Sequence, residues 1–129
     1  MNIIRSAASL ITIATLAACS SMGSSDVFVP AKVVDGVFVD GANMTMYTYD
    51  KDTAGSGKSA CNGPCAINWP PLPATATDTP AGDWTVVTRD DGKKQWAYKG
   101  KPVYGWLKDA KPGDKTGDGV GGSWHVAKP

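Results

Sequence analysis

Beyond its first sixteen residues the chain holds two Leu (Leu72 and Leu107), one Gln (Gln95) and no Glu. These residue types supply much of an ordinary helix, because their side chains lose little rotamer freedom there. In their place stand Val, Thr, Tyr, Trp, Gly, Pro and Asp, which suit strands and turns. A chain so composed is restricted to a mostly antiparallel β architecture with little helix. The fold class expected is all-β: a small single domain of two pseudo-repeated antiparallel β units, a meander or sandwich.

The order of segments agrees with this reading. Residues 27–34 are apolar and interrupted by Pro30, which fits an edge strand. Asp35-Gly36 is a hairpin turn signal before Val37-Phe38-Val39, and Asp40 to Asn43 turns again into 44–49. A polar loop covers 51–60, and one short helical turn is expected near Cys65 to Asn68. Residues 70–82, rich in Pro, Thr and Ala, read as an extended connection. Strands are then expected over 84–88, 94–98, 102–107 and 123–127, with turns at Asp90-Asp91-Gly92 and Lys99-Gly100. That makes roughly seven short strands.

The first eighteen residues read as a lipoprotein export signal. Arg5 gives a basic start, and the apolar core from Leu10 to Leu16 is too short to span a bilayer, which takes about 20 residues. It closes on Leu16-Ala17-Ala18-Cys19, where Cys19 is the expected lipidation site. The alternative is an ordinary secretory signal with Cys19 incidental. Residues 19–30 then form the lipidated Cys and a tether, with the β domain over 31–129. Ser20, where an Asp would favour the inner membrane, points to the outer membrane (palmitate and diacylglyceryl anchored). Removing Arg5 with the signal takes the formal charge from +1 to zero. A neutral domain without a basic cluster is not expected to bind nucleic acid.

The chain also matches itself. Tyr47-Thr-Tyr49-Asp-Lys-Asp52 and Tyr104-Gly-Trp106-Leu-Lys-Asp109 share the pattern Y-x-aromatic-x-x-D. Each is preceded by a Gly-bearing turn and followed by a Gly-rich loop and a Trp, Trp69 or Trp124. Repeat one runs over about 31–73 and repeat two over about 84–127. With period two, Tyr47 and Tyr49 share one strand face, while Met44, Met46 and Thr48 share the other. Asp52 and Asp109 fall past the strand ends, where a carboxylate can accept backbone N–H bonds and hold the next loop. The motif is therefore expected to serve packing and turns. An aromatic surface for a glycan or peptide is the alternative, and it needs Tyr47, Trp106 or their neighbours exposed together.

These paired motifs, with the lipobox and the stretch Gly57-Lys-Ser-Ala-Cys61-Asn-Gly-Pro-Cys65-Ala-Ile-Asn-Trp69-Pro-Pro, resemble the bacterial lipoproteins with a Y-x-(FWY)-x-x-D motif, the secreted repeat of unknown function. The resemblance covers about residues 32–127. It implies an exported, envelope-anchored repeat protein and supplies no reaction.

Cys61 and Cys65 are the sharpest candidates for chemistry. In an oxidising compartment an even pair reads as a structural disulfide. The alternative is a periplasmic copper or thiol-redox protein, with Cys61, Cys65 and either His125 or Met44/Met46 as soft ligands for Cu(I). That spacing with a distant His resembles the copper-delivery proteins of cytochrome oxidase assembly. However, those have a helix-containing thioredoxin-like fold, and the Pro expected after the second Cys is Ala66 here. His125 by itself reads as a solvated strand residue. Asp109, Asp114 and Asp118 lack the spacing and the closing Glu of a calcium loop. Gly55 to Ser59 ends like a phosphate loop without its first Gly. With one His and no Glu, general bases are few, and a non-enzymatic protein without a cofactor is expected. Its protein or glycan partner is not named by any of these residues.

Overall fold

The computed structural model describes residues 28–129, together with the isolated Ala14. The signal segment, Cys19 and the tether up to residue 27 lie outside the described residues. Eight short strands follow in order: β1 (Lys32–Val34), β2 (Val37–Val39), β3 (Tyr47–Tyr49), β4 (Pro73–Ala74), β5 (Trp84–Thr88), β6 (Lys94–Tyr98), β7 (Lys101–Pro102) and β8 (Trp124–Val126). The one α-helix among the described residues, α1 (Pro64–Asn68), is a single turn set by Pro64 in its first turn. No described helix is long and apolar enough to cross a membrane. All strand pairings are antiparallel, and the all-β expectation holds.

Two tight hairpins follow from turn chemistry. Asp35 (φ 51°) and Gly36 (φ 80°) join β1 to β2, and Lys99 (φ 48°) and Gly100 (φ 82°) join β6 to β7. Two consecutive positive φ values match the right-handed twist of the flanking strands, which is why Gly takes the second position. A Cβ on Gly100 would also lie 2.5 Å from the backbone N of Gly55.

Four expected strands are shorter than their sequence suggests: among the described residues of 27–34 only Lys32–Val34 is strand, of 123–127 only Trp124–Val126, and the other two shorten for a local reason. In 44–49 only Tyr47–Tyr49 forms a ladder, because Asp40 Oδ1 holds the N–H groups of Ala42 and Met44 in a side-chain turn. In 102–107 the ladder stops at Pro102, whose missing N–H ends it, and pairing resumes at Tyr104 as two isolated bridges, to Tyr47 and to Pro71. Residues 70–82 are not wholly a connection, since Pro73–Ala74 pairs with β6.

The two repeats do not fold side by side. Each completes the other. β3, from repeat one, pairs with β8 at the end of repeat two. In return the Tyr104 segment of repeat two pairs with the end of repeat one: Gly105 N donates to Pro70 O (2.8 Å) and Leu107 N to Asn68 O (2.9 Å). One three-bond cycle recurs in both halves. In the first, Met46 N donates to Phe38 O (2.9 Å), Phe38 N to Ala127 O (2.9 Å) and Ala127 N to Met46 O (2.8 Å). In the second, Val103 N donates to Trp96 O (3.0 Å), Trp96 N to Leu72 O (2.9 Å) and Leu72 N to Val103 O (2.9 Å). Each cycle takes one member from the other repeat. The halves meet where Tyr47 N donates to Tyr104 O (2.7 Å) and Tyr104 N to Tyr47 O (2.9 Å), a reciprocal pair on a pseudo-two-fold axis.

The core splits accordingly. One cluster gathers Phe38, Met46, Leu72, Trp84, Trp96 and Val103 with Ala31 and Ala127. The other gathers Tyr47, Cys61, Trp69, Tyr104 and Trp124 along the axis. Met46 and Tyr47 thus enter different clusters, as alternation along a strand requires.

Candidate functional site

Period two sends Tyr47 and Tyr104 inward from their strands, and both are completely buried. A buried phenol needs a partner for its O–H. The partner is the motif carboxylate of the other repeat. Tyr47 Oη donates to Asp109 Oδ2 at 2.6 Å, and Tyr104 Oη to Asp52 Oδ2 at 2.6 Å. The second oxygen of each Asp holds its own loop. Asp52 Oδ1 accepts from Ala60 N (2.6 Å), while Asp109 Oδ1 accepts from Thr116 N (3.0 Å) and Thr116 Oγ1 (2.6 Å). Each motif therefore contributes an Asp that folds its own repeat and a Tyr that binds the neighbour's Asp.

Burial comes first among the causes that push both phenols well above the ordinary tyrosine range, followed by the hydrogen bond to a carboxylate. Burial likewise raises the Asp52 carboxyl, against the opposing hydrogen bonds from Tyr104 and Ala60 and the positive charges of Lys101 and Arg89. On the other side of the axis, Gly117 N donates to Tyr47 Oη (3.3 Å). A Cβ on Gly117 would lie 2.9 Å from the Tyr47 ring and 3.0 Å from Trp106, so the loop after Asp109 needs a glycine there.

Stacked rings fill the axis. Trp69 and Trp124 lie 3.7 Å apart with planes 3° from parallel. Tyr49 stacks on the outer face of Trp124 (4.2 Å) and Trp106 on that of Trp69 (3.8 Å), making a column of four rings. Tyr47 packs edge-on against Trp69, and Tyr104 against Trp124. The edge-on contacts suit the quadrupole of each ring, while the nearly face-to-face Trp69–Trp124 pair is held by burial of its large apolar area. Tyr49 and Trp106 are half-buried at the ends of the column, but Tyr47 has no exposed surface. Tyr47 therefore takes no part in any exposed aromatic face.

The halves are not identical. Around Asp52 and Tyr104 the network extends through Ser59, Arg89 and Gln95, all buried. Ser59 Oγ lies 2.5 Å from Tyr104 Oη. Arg89 Nη1 donates to Ser59 Oγ (3.0 Å) and Gln95 Oε1 (2.7 Å), and its Nη2 donates to Cys61 O. Gln95 Nε2 closes the chain on Val103 O (2.8 Å). The sequence reading missed Ser59, Arg89 and Gln95 as members of a site. The available signal was the single Gln of a Glu-free chain, placed mid-strand where a buried polar side chain must find partners.

Cys61 and Cys65 form a disulfide with a Cα–Cα distance of 5.2 Å. Cys61 is buried beside Tyr104 and Trp124, and the bridge ties the loop after Asp52 to α1. The alternative copper set of Cys61, Cys65 and His125 is not brought together. The sulfurs bond each other and offer no thiolates, and exposed His125 instead places Nε2 2.8 Å from Asp50 Oδ2. Met46 lies in the other core cluster. Among the described residues no group of three or more His, Cys, Asp or Glu side chains converges. Asp114 and Asp118 accept backbone N–H bonds from Ala110 and Val126, as plain turn chemistry would have it. An open groove of about 960 Å³ runs between α1 and the β5–β6 turn, with Ala66, Ile67 and Pro73 on one side and Asp91 to Lys94 on the other.

The family described as "Secreted repeat of unknown function" matches the chain twice, over residues 31–73 and 85–128. The chain belongs to this family. The two matches frame the two interlocked halves, each carrying one Y-x-aromatic-x-x-D motif. No curated protein and no solved structure matches it. Membership in a secreted family places the chain outside the cytoplasm, in the envelope or beyond it.

Proposed function

We propose that this secreted repeat is a non-enzymatic binding or scaffolding module, held on a cell-envelope membrane by lipid on Cys19. The observation that carries the reading is the fate of the family motif. Both tyrosine hydroxyls and both carboxylates are buried and joined to each other across the repeats, so the defining residues hold the domain together instead of facing a ligand. A general acid or base must reach its substrate, whereas Tyr47 and Tyr104 have no exposed surface and Asp52 and Asp109 are nearly enclosed. The leader ending in Leu16-Ala17-Ala18-Cys19 supports the anchor, and Ser20 supports the outer over the inner membrane.

The test is metabolic labelling of the full chain with an alkyne fatty acid, followed by membrane fractionation. Label on the native chain in the membrane fraction, with both lost in Cys19→Ala, is the expected result. An unlabelled, soluble native chain overturns the anchor.

A further inference from the structure

Six large apolar side chains stand exposed among the described residues, and four of them fall within the first seven: Phe28 (64% exposed), Val29 (53%), Val33 (50%) and Val34 (40%). The segment reads Phe-Val-Pro-Ala-Lys-Val-Val and carries a single charge, Lys32. Its strand, β1, is exposed along its whole length, whereas β2, its only partner among the described residues, is buried along its whole length. Soluble proteins protect such an edge with charges, bulges or a covering element, because an apolar edge with unpaired N–H and C=O groups invites association. Here no described element covers β1, while the Phe28 ring ahead of it touches Trp96 of β6 on one side (6.2 Å between centroids) and leaves most of its surface free. Val33 and Val34 point to opposite faces of the strand, so an occupant must take the edge from both sides.

The position of the segment in the chain says what that occupant is. Phe28 is the first residue of the described domain, and residues 20–27 separate it from Cys19. Fully extended, that span reaches about 30 Å. A domain anchored at Cys19 therefore carries its most apolar edge at the point closest to the bilayer. Tethering through so short a span raises the effective concentration of membrane at this edge to about the millimolar range, so a weak apolar contact suffices. An aromatic ring, three valines and a lysine able to extend its charge to the headgroups suit the water–lipid boundary.

We infer that residues 28–34 form a membrane-docking edge, which seats the β1–β2 hairpin in the headgroup region of the bilayer that holds the anchor. The inference rests on the lipid-anchored reading above. It turns the anchor from a leash into a fixed pose, with the β1 side down.

The chain has two phenylalanines, exposed Phe28 and buried Phe38, so fluorophenylalanine gives two 19F resonances, one at the exposed segment and one in the core behind β1. The chain from Cys19, with Cys61 and Cys65 bridged, is coupled through its free thiol to maleimide lipid. The carrier is a nanodisc of phosphatidylethanolamine and phosphatidylglycerol. Phe28→Leu assigns the resonances. Expected is loss of the Phe28 signal with acyl-chain nitroxide lipid, weaker broadening of Phe38, which lies across the ladder from Val33, and recovery of Phe28 in Val33→Asp/Val34→Asp with the near-ultraviolet circular dichroism of the tryptophan core unchanged. A Phe28 signal untouched by acyl-chain nitroxide, but erased by a water-soluble nitroxide, overturns the docking edge. So does protection of Phe28 from both agents accompanied by dimerisation, which would make a second copy the occupant. Because coupling is chemical, these results do not depend on lipidation in cells. Fatty-acid labelling at Cys19 decides the anchor separately.

Discussion

The crossed Tyr–Asp pairing makes a demand that the sequence motif alone does not. In the motif, Tyr47 and Asp52 belong together, yet the hydroxyl of Tyr47 bonds Asp109. Tyr47→Phe removes a buried donor to a carboxylate at 2.6 Å and an acceptor for Gly117 N. Hydrogen bonds to charged groups contribute about 1.5–3 kcal/mol, and Asp109 keeps its two bonds from Thr116, so a loss of about 2 kcal/mol is expected. For a domain of this size that lowers Tm by about 8–16 °C. The decisive assay is a pair of double-mutant cycles read by urea unfolding. Tyr47→Phe with Asp109→Asn should show a coupling energy of about 1.5–3 kcal/mol, while Tyr47→Phe with Asp52→Asn should be additive within about 0.5 kcal/mol. Coupling to Asp52 and additivity with Asp109 would refute the interlocked arrangement.

Alkali should unfold the domain in a tyrosine-dependent way. Both phenols titrate higher folded than unfolded, so their contribution is whole below about pH 10 and is lost as pH climbs through the folded-state range. The slope is at most about 1.4 kcal/mol per pH unit for each tyrosine, and Tyr47→Phe or Tyr104→Phe should remove its share in pH-dependent melts. Reduction of Cys61–Cys65, or Cys61→Ser with Cys65→Ser, opens a very small loop and should cost about 2 kcal/mol in urea unfolding. Arg89→Met strands Gln95 Oε1 and Cys61 O and should cost about 3 kcal/mol. Arg89→Lys should recover only part of that loss, because an ammonium cannot reproduce the fork that reaches both groups.

The missing helix formers made the β class legible, and the hairpin at Asp35-Gly36, the helical turn near Cys65 and the strands over 84–88 and 94–98 followed from local turn chemistry and alternation. The motif faces were legible too, since Tyr47 and Tyr49 point to one cluster and Met46 to the other. The crossing was not. Period and spacing describe how a strand presents its side chains, while the partner of Tyr47 lies in the other repeat, beyond what local pattern encodes. Arg89 was invisible for a related reason. Beside Asp90 and Asp91 at a hairpin turn it looks like a solvated charge, and only the return of the loop after Asp52 buries it against Ser59 and Gln95.

The interlock itself is best tested by cutting the one covalent link between the halves. A protease site inserted after Thr77, within the 75–83 connection between β4 and β5, leaves every cross-repeat bond described above intact. After cleavage the two fragments should co-elute as one species on size exclusion and keep the near-ultraviolet circular dichroism of the Trp69–Trp124 stack. Fragments that separate, each with its own folded signal, would show two independent repeats and contradict the account.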